Sequence, residues 1–253
     1  MDRSAQIDRA APTVEPAGRV PLLHQSWHHL LFLHWEVPAA ALRPALPAGL
    51  ELDTHDGRAF LGLVPFTITG TRASFTPPVP FLSSFHEVNL RTYVHRDGRD
   101  PGVWFFSLDA SSAAAVAAAR AFYHLPYHEA EIAFDAGGEP PLVDYRSRRL
   151  AGGAGCRARY APRGPVEPAA WKSLEFFLVE RYLLFAASGE RLWSARVHHA
   201  PYPLQAARVE RVEESLAAAA GLPPLVGTPL AHYARSVDVA IYAPEEVAPT
   251  TPV

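Results

Sequence analysis

Prolines in every part of the chain set the strongest limit on how it can fold. The 253 residues include 25 prolines, which run from the first twenty residues to the last ten. A proline inside a helix removes a backbone hydrogen bond and clashes with the preceding turn, and in a central strand it breaks the ladder. The sequence therefore favours short strands and loops over long helices.

Strand-like segments bounded by turn residues recur along the chain. Four of the clearest are Trp27–Val37, Arg58–Ile68, His86–Val94 and Val103–Leu108. Arg58–Ile68 is apolar on both faces, which is typical of a central strand covered on both sides. With the later segments of the same kind there are roughly ten, and they predict a large antiparallel sheet, open or closed into a barrel or cone.

Helical signals are few, so the predicted class is α+β with a few short helices. The clearest helix is Ser112–His124, where serine can cap the N-terminus, an alanine run follows and Pro126 prevents continuation. Shorter helices are predicted at Trp171–Glu180 and Ser215–Ala220.

The chain is organised as one domain between two tails. Residues 1–20 are rich in proline and alanine and show no periodicity, so we expect a flexible N-terminal tail. Residues 21–245 are expected to form a single domain, and residues 246–253 a C-terminal tail. Hydrophobic residues make up 49% and charged residues 19%, which is enough apolar material for a large core.

Charge and cysteine content exclude several classes of protein. A net charge of −3 gives no general attraction to nucleic acid or to an anionic membrane. A single cysteine, Cys156, excludes an intramolecular disulfide and an all-thiolate metal site. We find no signal-peptide pattern and no apolar run of the ~18 residues that cross a bilayer. A cytoplasmic location is therefore expected, and homo-oligomer formation stays open.

The segment His86–Val94 carries the strongest functional signal. Because side chains alternate between the faces of a strand, Glu87, Asn89, Arg91 and Tyr93 share one face, and the opposite face is mainly apolar. The polar face could be the solvated side of an antiparallel sheet. Alternatively, it is a wall inside a closed sheet, where Glu87 and Arg91 bind or transform a small molecule.

The histidines do not predict a metal site. Four of them lie between residues 24 and 34, and His28 and His34 are expected to share a strand face. Zinc sites usually need three converging ligands, and this spacing matches no metal motif. His199 and its neighbours carry no stronger signal. We therefore expect hydrogen-bonded sheet histidines and no bound metal.

A basic stretch occupies the middle of the chain. Its six arginines fall within eighteen residues, and no acidic residue lies among them. If the strands that carry them pair, like charges would face each other, and acids from elsewhere or a bound anion should neutralise them. Solvated arginines that fan outward are the alternative. The six residues are Arg146, Arg148, Arg149, Arg157, Arg159 and Arg163.

Several long motifs, in order, resemble those of the YqjF-like proteins, the family called domain of unknown function 2071. The resemblance covers about residues 21–245. The segments that carry it are Gln25–Trp27, Leu31–Trp35, Leu42–Leu50, Glu87–Val94, Gly102–Asp109, Leu125–Tyr127, Glu180–Tyr182 and His199–Gln205. Tyr202 stands where the family more often shows tryptophan.

This family in turn resembles the acetoacetate decarboxylase superfamily, which implies a cone-like antiparallel barrel around a cavity. Phe85–Glu87 looks like the Tyr-x-Glu that places an active-site glutamate in the decarboxylases. The decarboxylases also use a Schiff-base lysine in a Pro-Lys-Lys setting. The corresponding region here, around Arg120, has no lysine, and arginine stays protonated and is a poor nucleophile. An imine-forming decarboxylase is therefore disfavoured.

Three functions remain open at this point. The first is a barrel that binds a small anionic or carbonyl-containing molecule; the second is a lysine-independent enzyme with Glu87 as general base; the third is a structural or oligomerising protein. No cofactor is expected. The candidate catalytic residues are Glu87 and Arg91. The candidate ligand-binding residues are Asn89, Tyr93, His34, Arg120 and His199.

Overall fold

Thirteen strands form one sheet in the computed structural model, which describes residues 7–78 and 83–247. The strands in chain order are β1 Leu23–Val37, β2 Glu51–Leu52, β3 Ala59–Ala73, β4 Phe85–Arg96, β5 Arg99–Ala110, β6 Tyr127–Gly137, β7 Leu142–Arg149, β8 Gly155–Arg163, β9 Leu183–Ser188, β10 Arg191–His199, β11 Leu204–Glu214, β12 Leu230–Ile241 and β13 Glu245–Val247.

The hydrogen-bonded order of the strands returns to its starting point. From β5 the neighbours are β6, β7, β8, β11, β12, β1, β3 and β4, and β4 pairs with β5 again. A second path joins β5 to β12 through β9 and β10. The sheet therefore forms a ring in which the central strands have neighbours on both sides.

The sheet is not wholly antiparallel, which corrects the expectation from sequence. β5 runs parallel to β6 over Leu108–Ala110 and parallel to β9 at Val103 and Trp104. Parallel neighbours need a crossover rather than a tight turn. Between β5 and β6 the crossover is helix α2, Ala113–Tyr123, so the helix that the sequence predicts is also the cause of the parallel pairing.

Helix α2 confirms the local signals in its sequence. The Ser112 hydroxyl accepts a hydrogen bond from the Ala115 amide at 3.3 Å, and His124 ends the helix in the left-handed conformation with φ of 55°. The other helices are one turn or little more. They are α1 Ala39–Leu42, α3 Leu174–Val179 and α4 Leu216–Ala219.

Two hydrophobic cores lie on opposite faces of the central strands. In β3, Phe60 and Phe66 belong to the first core, whereas Leu61 and Leu63 belong to the second. β4 divides in the same way, with Phe85 and Tyr93 in the first core and Val88 and Leu90 in the second. The expectation that Arg58–Ile68 is covered on both faces is confirmed, and β4 is enclosed as well.

The described part of the predicted N-terminal tail packs against the domain. Ile7 and Pro12 are buried, and Arg9 pairs with the fully buried carboxylate of Asp53. Asp53 also pairs with Arg181, so Arg9 is a second cation on this carboxylate and attaches the segment to the domain. Residues 1–6 lie outside the described residues.

The predicted C-terminal tail begins inside β13, which pairs with β10. Its last part, residues 248–253, and residues 79–82 of the loop between β3 and β4 lie outside the described residues. None of the helices in the described part of the chain is long and apolar enough to span a bilayer.

Acids from other positions neutralise the basic stretch on β7 and β8. Asp144 accepts a hydrogen bond from Arg146 at 2.8 Å and lies 3.8 Å from Arg157 and from Arg159. The Arg146 hydrogen bond holds the pKa of Asp144 below its usual value. Buried Arg149 pairs with Asp109 at 2.9 Å. Neutralising acids, the first alternative raised by the sequence, are therefore observed. The solvated arrangement is observed as well, because Arg146, Arg148, Arg157 and Arg159 are between 35% and 70% exposed.

We predict that Gly102→Ala destabilises the fold where β5 meets β9. A Cβ atom at Gly102 would lie 2.8 Å from the Leu183 carbonyl oxygen and from the Phe185 ring. Overpacking of this kind typically costs about 1–3 kcal/mol. Urea denaturation measures the loss. The matched control is Gly137→Ala, where the methyl group meets nothing within 4 Å and the change should stay within about 0.5 kcal/mol. Equal effects of the two variants would contradict the close β5–β9 approach.

Candidate functional site

Strand β4 places Glu87 and Asn89 on the wall of a cavity of about 580 Å³, whose lining also includes the exposed side chains of Leu22 and Phe122. Most of the lining is apolar and comes from strands that are distant in sequence. Its larger members are Leu23, Trp27, Phe66, Ile68, Phe105 and Leu108. A cavity of this size suits a small organic molecule.

Helix α2 covers the cavity with alanine methyl groups. Ala114, Ala115, Ala118 and Ala119 all line it, with Phe122 one turn further on. Residues three and four apart share one helix face. Larger side chains at these positions would fill the space that the alanines leave. The alanine run was interpreted from sequence only as a helix signal, so this second role was missed.

The Glu87 carboxyl group is held by two neutral hydrogen-bond donors. The Tyr127 hydroxyl donates to Oε2 at 2.8 Å, and the Asn89 side-chain amide also hydrogen-bonds the carboxyl group. The Tyr145 hydroxyl donates to the Glu87 backbone carbonyl at 2.8 Å and fixes the strand behind it. Glu87 is only 3% exposed, and no basic residue in the described part of the chain pairs with it.

Burial decides the protonation of Glu87. The pKa of Glu87 is raised to about 7, mainly because burial removes the carboxyl group from water and to a smaller extent because of the nearby charge of Asp109. The hydrogen bonds from Tyr127 and Asn89 lower the pKa but do not offset burial. Glu87 can therefore hold or release a proton near neutral pH. The Asn89 Oδ1 atom is buried with no protein partner, so it is free to accept a hydrogen bond.

Arg120 lies outside the cavity, although the sequence suggested it as a ligand-binding residue. Its side chain is exposed, and Nε donates to the Tyr127 backbone carbonyl at 2.8 Å. The contact connects α2 to the first residue of β6. Arg120 therefore positions the tyrosine whose hydroxyl binds Glu87.

Arg91 and Tyr93 do not line the Glu87 cavity. Glu87, Asn89, Arg91 and Tyr93 point to the same face of β4, but aromatic rings occupy the space around the last two. Phe32 lies under the Arg91 guanidinium, with 5.8 Å from its carbon to the ring centre, and Phe177 packs 5.1 Å from the Tyr93 ring. These rings come from β1 and α3, so the strand sequence alone could not show them.

Tyr93, His34 and Arg91 form a second interior group. The Tyr93 hydroxyl donates to the Leu178 carbonyl at 2.7 Å and contacts His34 Nε2 at 2.7 Å. Because the carbonyl can only accept, His34 Nε2 must donate to Tyr93. Gly62 permits the packing, since a Cβ atom there would come within 3.2 Å of the His34 ring.

A bulge in β1 overturns the expected pairing of His28 with His34 on one face. His29 has φ of 53°, and the register against β3 shifts between His28 and Leu33. An extra residue reverses the alternation that follows it. His34 consequently points into the first core, whereas the His28 ring contacts Thr69 at 2.9 Å on the other side.

His199 also lies apart from Glu87. Its ring stacks on Tyr182 with 4.5 Å between centres, and Nδ1 donates to the Ala200 carbonyl at 2.8 Å. Burial lowers the pKa of His199 to about 4, so the ring is neutral. It borders a separate cavity of about 790 Å³. Within the described residues, no three His, Cys, Asp or Glu side chains converge closely enough to hold a metal ion.

The single lysine of the sequence, Lys172, lies far from the Glu87 cavity. It is exposed and precedes α3, where it borders a different pocket with Arg9 and His55. No described residue that lines the Glu87 cavity is basic. The described lining therefore provides no amine for an imine with a bound carbonyl compound.

Comparison with known proteins gives the family. The model for DUF2071, described as an uncharacterized conserved protein, matches residues 24–238. The uncharacterized protein YqjF of Bacillus subtilis is 39% identical over 219 residues, which cover 86% of this chain and 89% of YqjF. The chain belongs to the DUF2071 family. The resemblance predicted from the motifs is confirmed.

Solved structures with the same fold include acetoacetate decarboxylase-like proteins. The enduracididine biosynthesis enzyme MppR, complexed with pyruvate, is similar with a TM-score of 0.66, 15% identity and 94% of each chain covered. Acetoacetate decarboxylase of Legionella pneumophila has a TM-score of 0.66 at 12% identity, again over 94% of each chain. An acetoacetate decarboxylase-like enzyme of Sphingomonas wittichii has a TM-score of 0.62 at 15% identity, over 93% of this chain and 98% of its own. These similarities show the fold of this DUF2071 member.

We predict that Glu87 makes the stability of the protein fall as pH rises. Between its ordinary pKa of 4.5 and about 7, the unfolded chain loses the Glu87 proton while the folded chain keeps it. The free energy of unfolding therefore decreases across this range. Glu87→Gln keeps the shape but cannot ionise, and should be more stable than the parent at pH 8 by on the order of 3 kcal/mol.

Urea denaturation at several pH values between 5 and 8 measures this effect. The matched control is Glu131→Gln, which removes a carboxylate that is 69% exposed, and its stability should follow that of the parent. A Glu87→Gln variant that is less stable than the parent at pH 8 would mean that the ionised carboxylate stabilises the fold.

Proposed function

We propose that this DUF2071 protein binds a small, neutral, largely apolar molecule with a carbonyl group in the Glu87 cavity. The observation that carries the proposal is a buried carboxyl group, with a pKa of about 7, on the wall of an apolar cavity whose described lining contains no basic residue. In this proposal the ring of strands is a cone-like barrel around the ligand, and the protein acts in the cytoplasm.

Charge argues for a neutral ligand. An anion in this cavity would face Glu87, with buried Asp109 nearby, and the described lining offers no cation in return. Arg91 cannot recognise an anion in this cavity, because its side chain lies among aromatic rings beyond the cavity. A neutral ligand avoids the cost of an unpaired buried charge.

Hydrogen bonding argues for a carbonyl group. The protonated Glu87 carboxyl group has one O–H to donate, and a ligand carbonyl oxygen can accept it. Asn89 Oδ1 offers a free acceptor beside it for a ligand hydroxyl or N–H group. The alanine face of α2 and the apolar rings leave room for a hydrocarbon chain or ring. The cavity is not filled by the described side chains, which speaks against a purely structural role.

The binding test compares three probes of equal chain length, 2-heptanone, heptanoate and heptane, by calorimetric titration at pH 6 and pH 8. The ketone should bind best at pH 6 and weaken at pH 8, because ionised Glu87 no longer donates. The affinity for the ketone should fall almost tenfold between pH 6 and pH 8, because the loss of one hydrogen bond of about 1.4 kcal/mol changes an equilibrium constant by that factor. In Glu87→Gln the amide donor remains, so ketone affinity should not depend on pH. Heptanoate binding more tightly than 2-heptanone in this cavity would refute the proposal.

A second candidate function is proton transfer next to the ligand carbonyl. It is favoured by the Glu87 pKa of about 7, which suits a general base at neutral pH. In this reaction Glu87 would take a proton from the carbon beside the carbonyl. The Tyr127 hydroxyl and the Asn89 amide, which now hold Glu87, are the neighbouring donors for the enolate oxygen.

Exchange of ligand protons in heavy water tests this second function. With 2-heptanone as probe, proton NMR should show loss of the signals beside the carbonyl faster with the parent protein than in buffer. Glu87→Gln should abolish the acceleration while still binding the ketone. If the ketone binds but its proton exchange is not accelerated, the binding proposal stands and the proton-transfer proposal is refuted.

A further inference from the structure

The Arg91 guanidinium is a cation in the interior of the protein. Arg91 is 8% exposed, and its Nη2 donates to the Leu178 carbonyl at 3.1 Å. Phe32 and Tyr93 each lie with a ring centre 5.8 Å from the guanidinium carbon, and the Arg91 side chain also hydrogen-bonds the Tyr93 side chain. Its Nε is buried and has no hydrogen-bond partner in the protein. Backbone oxygen and aromatic faces stabilise a cation only partly.

The buried acids of the described chain are all committed to other partners. Asp53 pairs with Arg181 at 2.9 Å and with Arg9, and Asp109 pairs with Arg149 at 2.9 Å. Glu87 is bound by Tyr127 and Asn89. Glu180 accepts from the Tyr182 hydroxyl at 2.6 Å and from the Tyr202 amide at 2.9 Å. Among the described residues, no carboxylate pairs with Arg91.

The positive charge at this position cannot be removed by deprotonation, since arginine stays protonated in proteins. Buried charges in native proteins are normally paired, because an unpaired one is costly. The ionisable groups around Arg91 include Tyr93, Tyr202, His34 and His199. Burial is the largest cause that lowers the pKa values of both histidines, and the charge of Arg91 lowers them further. Arg181, which packs over the same Tyr93 ring, is already paired with Asp53. The charge is therefore left for a bound anion to neutralise.

We propose that Arg91 forms an interior binding site for a small monoanion, with a carboxylate as the best geometric match. The planar guanidinium presents hydrogen-bond donors along one edge, which fit the two oxygens of a carboxylate. The Leu178 carbonyl oxygen accepts a hydrogen bond from Arg91 Nη2, and Arg91 Nε has no hydrogen-bond partner in the protein. The rings of Phe32, Tyr93 and Tyr202 limit the anion to a small one.

This site is separate from the Glu87 cavity, although both lie on β4. Arg91 is two residues beyond Asn89 on the same face, about 6.6 Å along the strand, and it does not line that cavity. The anion site requires a negative ligand, and the Glu87 cavity disfavours one. The two proposals can therefore fail independently.

Formate is the probe for the Arg91 site. In thermal unfolding with sodium formate at ten times its dissociation constant, the parent should gain about 3–6 °C in Tm. Arg91→Met removes the charge at similar length and should show no such gain over the general salt effect. The matched control is Arg149→Met, which removes a buried arginine that already has a carboxylate partner, and it should keep the formate response. Glu87→Gln should keep it as well.

A direct readout does not depend on any variant. Crystals of the parent protein soaked in sodium bromide should show an anomalous peak within hydrogen-bond distance of the Arg91 guanidinium, which crystals without bromide lack. The proposal is wrong if no bromide peak lies at Arg91 and formate raises the Tm of the parent and of Arg91→Met equally. Loss of ketone binding in the Glu87 cavity would not affect this result.

Discussion

The closure of the sheet into a ring is the constraint on which the rest of the structure depends. Because β4 has strands on both edges and a hydrophobic core on each face, the polar side chains in its middle, from Glu87 to Tyr93, are buried. Each must find its partner inside the protein. Glu87 is hydrogen-bonded by Tyr127 and Asn89, and Tyr93 is hydrogen-bonded to His34 and to a backbone carbonyl. The functional site is therefore a consequence of enclosure.

Enclosure also explains why distant segments decide the chemistry of this one strand. Tyr127 reaches Glu87 only because α2 crosses from β5 to β6 and Arg120 holds the start of β6. The same helix covers the cavity with alanine side chains, and Ser112 caps its first turn. A change in α2 would thus alter the cavity volume and the Glu87 hydrogen bond together. If the cavity binds a ligand as proposed, stability and binding are coupled through this helix.

Local signals in the sequence predicted what local physics determines. The cap at Ser112 and the alanine run specified α2, and strand alternation placed Glu87 and Asn89 on one face. Two features were not predictable from local sequence. The bulge at His29 depends on packing against Phe134 and Tyr233, which are far along the chain. The separation of Arg91 from Glu87 likewise depends on rings supplied by other strands and by α3.

The separation of Glu87 from Arg91 is what keeps both groups available for a ligand. In direct contact, a buried carboxylate and a guanidinium would form an ion pair, as Asp109 and Arg149 do, and their charges would then neutralise each other. Apart, the carboxyl group responds to burial with a raised pKa, whereas an arginine side chain stays protonated in proteins. One strand consequently carries a group that can be neutral near neutral pH and a group that is always charged. The first suits a neutral carbonyl compound and the second an anion, and Asn89 lies between them.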